Sequence, residues 1–407
     1  MIDLLNEIWQ TMNTNRLRTA LTGLAVSWGI FMLIILVGMA QGVMNAFSDG
    51  NFAKSSNVIL FWGGYASNPY MGLKEGRYVP LCDKNMAVVE RENAAKVESA
   101  TAQAMVSSSN ISTTRDYVSK SISGVYPEAQ EALVMDYGRF INDRDLADTR
   151  KVIVLDYNSA EVLFKDPTSA VGKTVSVNDL SFMVVGIYKS DWRTDIFIPY
   201  TTAKAISGYS DNIDQLRVAT KQLNSREEAD QLEEDVRATL GKQNKHTADD
   251  TGALHAWNRL ANYFSSNEAL SILNITMWVI GLLTLITGIV GVSNIMFVSV
   301  RERTHEIGIR RAIGAKPHNI LLQVIIESVA ITTIFGYIGI LLGTVGTEII
   351  AHLLANMDRM DMIKNPHVDL SLAIQVTVVL IVSGALAGVF PAIKALKVHP
   401  VEALRTE

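Results

Sequence analysis

A glycine–lysine–threonine run is the first part of this sequence whose residue types could do chemistry. Gly172-Lys173-Thr174 ends the stretch DPTSAVGKT, which resembles the end of a phosphate-binding loop. Such a loop needs another glycine five residues earlier, so that backbone N–H groups can wrap the phosphates. That position holds Pro167, which has no amide hydrogen. We therefore interpret the run as a turn before a β-hairpin.

A histidine–glutamate pair is the second candidate. His305-Glu306 begins like the zinc-binding pattern HExxH, but the position of the second histidine is Ile309. No pair of metal ligands remains, and the seven histidines are scattered along the chain. A catalytic triad stays open, because its members need not be close in sequence.

Two glutamates bracket the third long apolar run. Glu327 and Glu348 stand at the two ends of 328–347, which is otherwise uncharged. Ionisable side chains in a membrane are costly and often functional, for example in proton coupling. Both lie near the ends of the run, where side chains reach the membrane surface. We interpret them as structural or interfacial residues, and a larger role for Glu327 stays open.

The most distinctive charged stretch is RERTHEIGIRRAIGAKPHNI, residues 301–320, between two apolar runs of membrane length. Glu306 precedes Arg310 by four residues, which is the favourable order for an ion pair along a helix. A small apolar face follows from the spacing i, i+3 and i+4. It consists of Ile309, Ala312 and Ile313.

The glycines of this stretch shorten the predicted helix. Gly308 and Gly314 interrupt it, and Lys316-Pro317 closes it. A positive loop beside a span would explain the arginines alone. A short helix that docks in a groove of a cytoplasmic protein explains the apolar face, the glycines and the alternating charges as well.

Such a helix must be held by its neighbours, and the neighbours are spans. Crossing a bilayer takes about 20 apolar residues. We predict transmembrane helices at 19–48, 269–300, 319–350 and 370–393. The first could be a secretion signal, but the apolar region of a signal has only about 7–15 residues. We therefore expect an uncleaved anchor.

Lysines and arginines in the short flanks predict the orientation. Five lie in 301–318, whereas the short loop 351–369 has two. Because positive flanks stay inside, we expect 301–318 and both termini in the cytoplasm and 49–268 outside. Residues 1–18 alternate at helical spacing and predict an amphipathic helix on the inner membrane surface. Residues 394–407 form a cytoplasmic tail.

The outer segment, 49–268, is long enough for a domain of its own. It contains 24 lysines and arginines against 30 acidic residues, which disfavours nucleic acid as a partner. Its single cysteine, Cys82, cannot form an internal disulfide, and its role stays open. Strand-like runs alternate with helical ones, so we predict an α+β domain.

Two local patterns in the outer segment are specific. KTVSV and SFMVVGIY flank Asn178-Asp179 and predict a hairpin with its turn at these two residues. Residues 225–242 predict a helix with a capping box of Ser225 and Glu228, ended by Gly241.

Several stretches resemble one family, the FtsX-like and MacB-like permeases, which are membrane subunits of mechanotransmitting ABC transporters. RERTHEIGIRRAIGA resembles their coupling helix, and the tail GVFPAIKALKVHPVEALR resembles their C-terminal motif. TNRLRTALTGLAVSWGI and ESVAITTIFGYIGILLG look like the first and third spans. The outer segment occupies the position of the family's MacB-like periplasmic core, and its hairpin resembles that core.

The resemblance implies a homodimer or heterodimer with a separate cytoplasmic ABC ATPase under each coupling helix. Arg310 or Arg311 would face carboxylates of the ATPase, and Gly308 would allow close packing. The ATPase contact would be carried by Glu306, Gly308, Arg310, Arg311, Ala312 and Gly314. The chain itself would bind no cofactor and would not be an enzyme. Because it shows no fused ATPase motif, a partner chain would act on ATP and magnesium.

The implied function is ATP-driven efflux or extraction of a substrate from the periplasmic side of a bacterial inner membrane. Membrane lipids, a periplasmic adaptor and an outer-membrane channel would be further partners. An FtsX-like signalling subunit, which regulates a cell-wall hydrolase or senses an antimicrobial, is the alternative. An ion-coupled transporter that uses Glu327 is a third class.

Overall fold

The computed structural model describes residues 16–48, 57–106, 110–190, 194–355, 366 and 370–396. The described α-helices are α1 (Arg16–Ser48), α2 (Lys84–Glu92), α3 (Asp143–Ala147), α4 (Tyr157–Phe164), α5 (Tyr200–Ile206), α6 (Arg226–Asn244), α7 (Arg259–Glu302), α8 (Thr304–Ala312), α9 (Pro317–Ala355) and α10 (Leu370–Leu396). The described strands are β1 (Val58–Gly63), β2 (Leu81–Cys82), β3 (Val97–Val106), β4 (Asn110–Ser112), β5 (Tyr117–Ser119), β6 (Ile122–Val125), β7 (Val134–Gly138), β8 (Val152–Asp156), β9 (Thr174–Val177), β10 (Leu180–Lys189), β11 (Ile196–Pro199), β12 (Asn212–Ile213), β13 (Gln215–Thr220) and β14 (Leu254–Asn258).

The chain divides into two compact units, one of residues 1–49 with 268–407 and one of residues 50–267. The first contains helices of membrane length, since α1, α7, α9 and α10 are long and apolar enough to cross a bilayer. The second is an α+β domain inserted between α1 and the other three. The predicted fold class is confirmed.

The observed membrane-length helices extend beyond the predicted spans at one or both ends. The second apolar run belongs to a longer helix, α7, which already begins within the polar stretch 243–267. The predicted amphipathic helix at 1–18 lies almost entirely outside the described residues. The same holds for most of the loop 351–369 and for the tail beyond 396.

Helix α9 is the centre of the span unit and packs along both α1 and α10. Small residues permit the close approach that apolar helices need in a bilayer. A Cβ atom on Gly339 would lie 2.6 Å from the Ser27 carbonyl oxygen of α1. On the other side, the Ser328 hydroxyl donates to the Gly384 carbonyl of α10 at 2.9 Å and is fully buried.

Replacing Gly339 with alanine is expected to destabilise the span unit by about 1–3 kcal/mol, because a backbone carbonyl must shift to admit the methyl group. Gly346 is the matched control in the same helix. There, a Cβ atom meets only side-chain ends, of Ile35 and Phe31, at 3.3 Å. Gly346→Ala should be neutral or stabilising, since alanine is the better helix former. Thermal unfolding of both variants in lipid nanodiscs measures the difference, and equal stabilities would contradict the packing described.

One continuous sheet organises the outer domain. Its described strands follow the order β14-β1-β13-β3-β6-β11-β8-β10-β9-β4-β5, with β7 on β10. The pairs β8/β10 and β6/β11 are parallel and the other pairs are antiparallel. Large fully buried side chains fill its main core, for example Phe61, Ile153 and Phe182. Helix α6 adds Leu232, Val236 and Leu240, which follow at spacings of four residues and lie on one face of the helix.

The predicted hairpin is present, with β9 and β10 paired antiparallel. Asn178 and Asp179 both have positive φ, 46° and 64°, which is the conformation that a two-residue hairpin turn requires. Gly172, at φ 85°, forms the turn just before the hairpin. The Gly-Lys-Thr run is therefore a turn leading into a strand, as the proline at 167 predicted.

The predicted helix near 225–242 is also present, with two differences. The Ser225 hydroxyl caps it by accepting from the Glu228 N–H, but the Glu228 carboxylate accepts from the Asn224 N–H and not from that of Ser225. The helix passes through Gly241 and ends at Asn244, because Lys245 takes the left-handed conformation with φ 58°. The prediction that Gly241 ends this helix is therefore wrong.

A buried carboxylate in the outer domain has no counterpart in the sequence patterns. Asp145 is fully buried, and Arg139 donates two hydrogen bonds to it, at 2.6 and 3.1 Å. It also accepts from the Asn142 N–H, which completes a capping box at the start of α3. Burial alone raises the pKa of this carboxyl, but the hydrogen bonds from Arg139 and Asn142 and the charges of Arg139 and Arg150 outweigh it and lower the pKa.

Candidate functional site

The short helix α8 lies between the second and third membrane-length helices. Arg303 alone separates it from α7, and it ends at Ala312, with Ile313 as the capping residue. Gly314, at φ 101°, then turns the chain towards α9, a conformation that favours glycine. Gly308 is buried inside α8 and does not interrupt it, so only Gly314 ends the helix as predicted.

The arginines of α8 contact the neighbouring spans. The Arg310 guanidinium donates to the Gln323 side-chain oxygen in α9 at 3.1 Å. The Arg311 guanidinium donates to the Leu396 carbonyl at the end of α10 at 2.8 Å. Among the described residues, the predicted Glu306–Arg310 ion pair is not formed, because α9 lies close enough for Gln323 to take its place.

A third arginine, Arg303, lies at the hinge, which is the one-residue joint between α7 and α8. The Arg303 guanidinium forms an ion pair with the Glu327 carboxylate of α9 at 3.5 Å. The pair borders a small pocket of about 30 Å³. The polar lining also includes Glu306, Arg310 and Gln323. The apolar lining consists of Val300, Ile307, Ile320 and Val324.

The side chains of α8 that do not bond to the spans are largely exposed. Ile313 is 82% exposed and Ile309 is 38% exposed, so the predicted apolar face packs little against the rest of the chain. Ala312 and Glu306 are exposed as well. The Glu306 carboxylate makes no hydrogen bond or ion pair with any described residue. The outward surface of α8 is therefore a small apolar patch with a carboxylate beside it.

The arrangement offers a surface for another protein. His305 and Glu306 are both exposed, and within the described residues no three histidines, cysteines or acidic residues could hold a metal ion together. Exposed apolar side chains on a helix that its arginines fix in place are typical of helix-in-groove recognition. Because α8 is already helical, its exposed side chains can enter a groove of a partner protein without a folding step.

The structure brings the six predicted contact residues together on one short helix and its end. Their surroundings differ, however. Glu306 and Ala312 are exposed, Arg310 and Arg311 bond to the spans although Arg310 is exposed as well, and Gly308 is buried. Sequence reasoning missed Arg303 and Gln323. The sequence signal for Arg303 was Glu327, an acidic residue at the end of an apolar run. Such a residue needs a cation nearby when it is buried.

Comparisons with known proteins cover both units. The model of the MacB-like periplasmic core domain matches residues 19–239, and the model of the FtsX-like permease C-terminal region matches residues 278–400. A curated relative, the macrolide export ATP-binding/permease protein MacB of Chlorobium luteolum, is 28% identical over the whole chain. The pyoverdine export ATP-binding/permease protein PvdT of Pseudomonas syringae pv. tomato is 27% identical over the whole chain. The chain spans 60% of the length of each.

Solved structures align with about half of the chain. The periplasmic region of MacB from Actinobacillus actinomycetemcomitans aligns with 53% of the chain and 93% of that structure, at a TM-score of 0.41 and 18% identity. The extracellular domain of the transporter YknZ aligns with 50% of the chain and all of that structure, at a TM-score of 0.40 and 16% identity.

Proposed function

The chain belongs to the FtsX-like permeases with a MacB-like periplasmic core domain, and we propose that it is the membrane subunit that couples an ABC ATPase to its periplasmic domain. In this proposal the ATPase docks on α8 from the cytoplasm. ATP and magnesium act in the ATPase, and the spans pass its movement on. The result is efflux or extraction of a substrate that is taken up on the periplasmic side.

One observation carries the proposal, namely the exposed apolar face of α8. Ile313 and Ile309 are exposed on a helix whose other side is bonded to two spans. Leaving them in water has a cost, since full burial of such a side chain is worth about 1.5–3 kcal/mol. A partner groove that covers both would recover this energy without reorganising the permease.

The charge of this face specifies the partner further. Glu306 is exposed beside the isoleucines and makes no bond to a described residue, whereas Arg310, although also exposed, and Arg311 bond to the spans. The groove of the ATPase should therefore be apolar and should present a lysine or arginine to Glu306. This differs from the expectation that Arg310 or Arg311 meets acidic residues of the ATPase.

The pull-down of an ATPase tests the proposal. A tagged full-length permease is purified from native membranes, and co-purified proteins are identified for the wild type, Glu306→Arg and Asn319→Arg. Asn319 is the control, an exposed position in the first turn of α9. We expect an ABC ATPase with the wild type and with Asn319→Arg, and about tenfold less or none with Glu306→Arg, since reversing a paired charge costs more than 1.4 kcal/mol. Equal recovery with both variants would contradict docking at Glu306.

The proposed orientation gives a prediction of its own. A reporter fused at residue 150 should be active only outside the cytoplasm, and one fused at residue 312 only inside, because the positive flanks stay inside. Paired reporters, one active on each side of the membrane, measure both positions. The reverse pattern would place α8 on the wrong side for an ATPase.

A further inference from the structure

The hinge between α7 and α8 is one residue long, and its side chain is anchored on a different span. α7 ends at Glu302 and α8 begins at Thr304, so that Arg303 alone lies between them. Its guanidinium pairs with Glu327 of α9 at 3.5 Å. A rotation of α8 about this hinge therefore has to move α9 or break the ion pair.

The surroundings make the pair costly to break. The Glu327 side chain is 8% exposed and the Arg303 side chain 24% exposed. The adjacent pocket has a volume of only about 30 Å³, so little water is available to replace a lost partner. Neutralising one member of such a pair leaves the other charge largely buried and without this ion pair. The two side chains should therefore stay together when α8 is pushed.

Two further arginines of α8 also bond to the neighbouring spans. Arg310 bonds to Gln323, one turn before Glu327 in α9, and Arg311 bonds to the last carbonyl of α10. α8 is thus attached to two spans on one side and presents Ile309 and Ile313 on the other.

We propose that Arg303 and Glu327 are positioning residues, which fix the angle of α8 to α9 so that displacement of the docked helix passes into the third span. The inference rests on the proposed function, because docking supplies the displacement. Without the pair, Arg310 and Arg311 still bond α8 to the spans, but the hinge at Arg303 loses this anchor on α9 and absorbs part of the displacement. Docking itself relies on Ile309, Ile313 and Glu306, and since none of these bonds to Arg303 or Glu327, it does not require the pair.

The first test needs only the permease. Hydrogen–deuterium exchange of the segment 304–316 is measured on the full chain in lipid nanodiscs. Exchange should be about tenfold faster in Glu327→Gln and in Arg303→Gln, since hydrogen bonds to charged groups hold the helix in place. The exposed Glu348 of the same helix is the matched control, and Glu348→Gln should exchange like the wild type.

The double variant Arg303→Glu with Glu327→Arg should restore exchange to within about threefold of the wild type, because it reverses the charges and keeps the pair. A uniform loss of structure would not be rescued in this way. Wild-type exchange in Glu327→Gln would overturn the proposal, and so would a double variant that remains as fast as the single ones.

The second test uses the complex with the co-purified ATPase. Addition of ATP and vanadate should change the exchange of α9 in the wild type but not in Glu327→Gln, although both bind equal amounts of ATPase. An unaltered response in Glu327→Gln would overturn transmission through the pair, and so would loss of the ATPase from this variant. If the wild type itself retains no ATPase, the proposed function fails, whereas the exchange of the permease alone still decides whether the pair positions α8.

Discussion

Replacing Ile313 with aspartate is expected to reduce the ATPase recovered with the permease by about 100-fold and to leave the permease folded. The side chain is 82% exposed, so its removal takes no contact from the core. In the docked state the substitution loses about 1.5–3 kcal/mol of apolar burial. It also places an unpaired carboxylate in an apolar groove, which costs further energy. Together these effects exceed the 2.8 kcal/mol or so that correspond to 100-fold.

The measurement is a quantitative pull-down from native membranes, with thermal unfolding of the purified variant as the check on folding. Asn319→Asp is the matched control, because it introduces the same charge at an exposed position outside α8. Wild-type recovery of the ATPase with Ile313→Asp would show that the exposed apolar face is not the docking surface.

The second large effect is expected in the outer domain. Asp145→Ala should lower its free energy of unfolding by about 2–4 kcal/mol, because the substitution removes a buried partner of Arg139 and the Asp145 half of the capping box of α3, in which Asn142 is the N-cap residue. The value is at the lower end for buried pairs, since the Arg139 side chain is 43% exposed and water partly replaces its partner. Pulse proteolysis across a urea series measures the loss.

Asp148 supplies the control for this prediction. It pairs with Arg150 at 2.7 Å, but both side chains are about half exposed. Asp148→Ala should therefore cost at most about 1 kcal/mol, as exposed ion pairs do. Equal losses in the two variants would mean that burial of Asp145 contributes nothing.

The stabilisation by Asp145 should also depend on pH, with a defined sign. Its pKa is lowered in the folded protein, chiefly because the bonds and charges of its arginine partners outweigh the effect of burial. The contribution to stability is therefore complete above the unfolded pKa of about 3.9 and is lost as the pH falls through the folded pKa. The difference between the wild type and Asp145→Ala should shrink only below about pH 4.

The features that the sequence predicted well are those that depend on neighbouring residues. An uncharged run forms a membrane-length helix because no charged side chain has to be placed in the hydrocarbon. Asn178-Asp179 forms the hairpin turn because these two residue types tolerate positive φ. The apolar residues Ile309 and Ile313 follow from helical spacing alone and are exposed, whereas the docking role inferred from them stays a prediction.

The features that were missed depend on distant partners. Arg310 and Arg311 bond to groups 13 and 85 residues away, which no local pattern indicates. Short edge strands such as β2 and β12 carry only two residues each and leave no alternation to detect. The helix near 225–242 extends beyond Gly241 because Lys245 supplies the left-handed terminal position instead. In these cases tertiary contacts or backbone geometry determined the structure, and residue type alone was not sufficient to predict it.

Site-specific photo-crosslinking from position 313 tests the central claim most directly. A photoreactive amino acid replaces Ile313 in the full chain, native membranes are irradiated, and the crosslinked product is identified by mass spectrometry. Position 286 of α7, an exposed isoleucine within the predicted second span, is the control. We predict an adduct with an ABC ATPase from position 313 and none from position 286. Adducts from position 313 with lipid alone, or with no protein, would contradict the account of α8 as the docking helix.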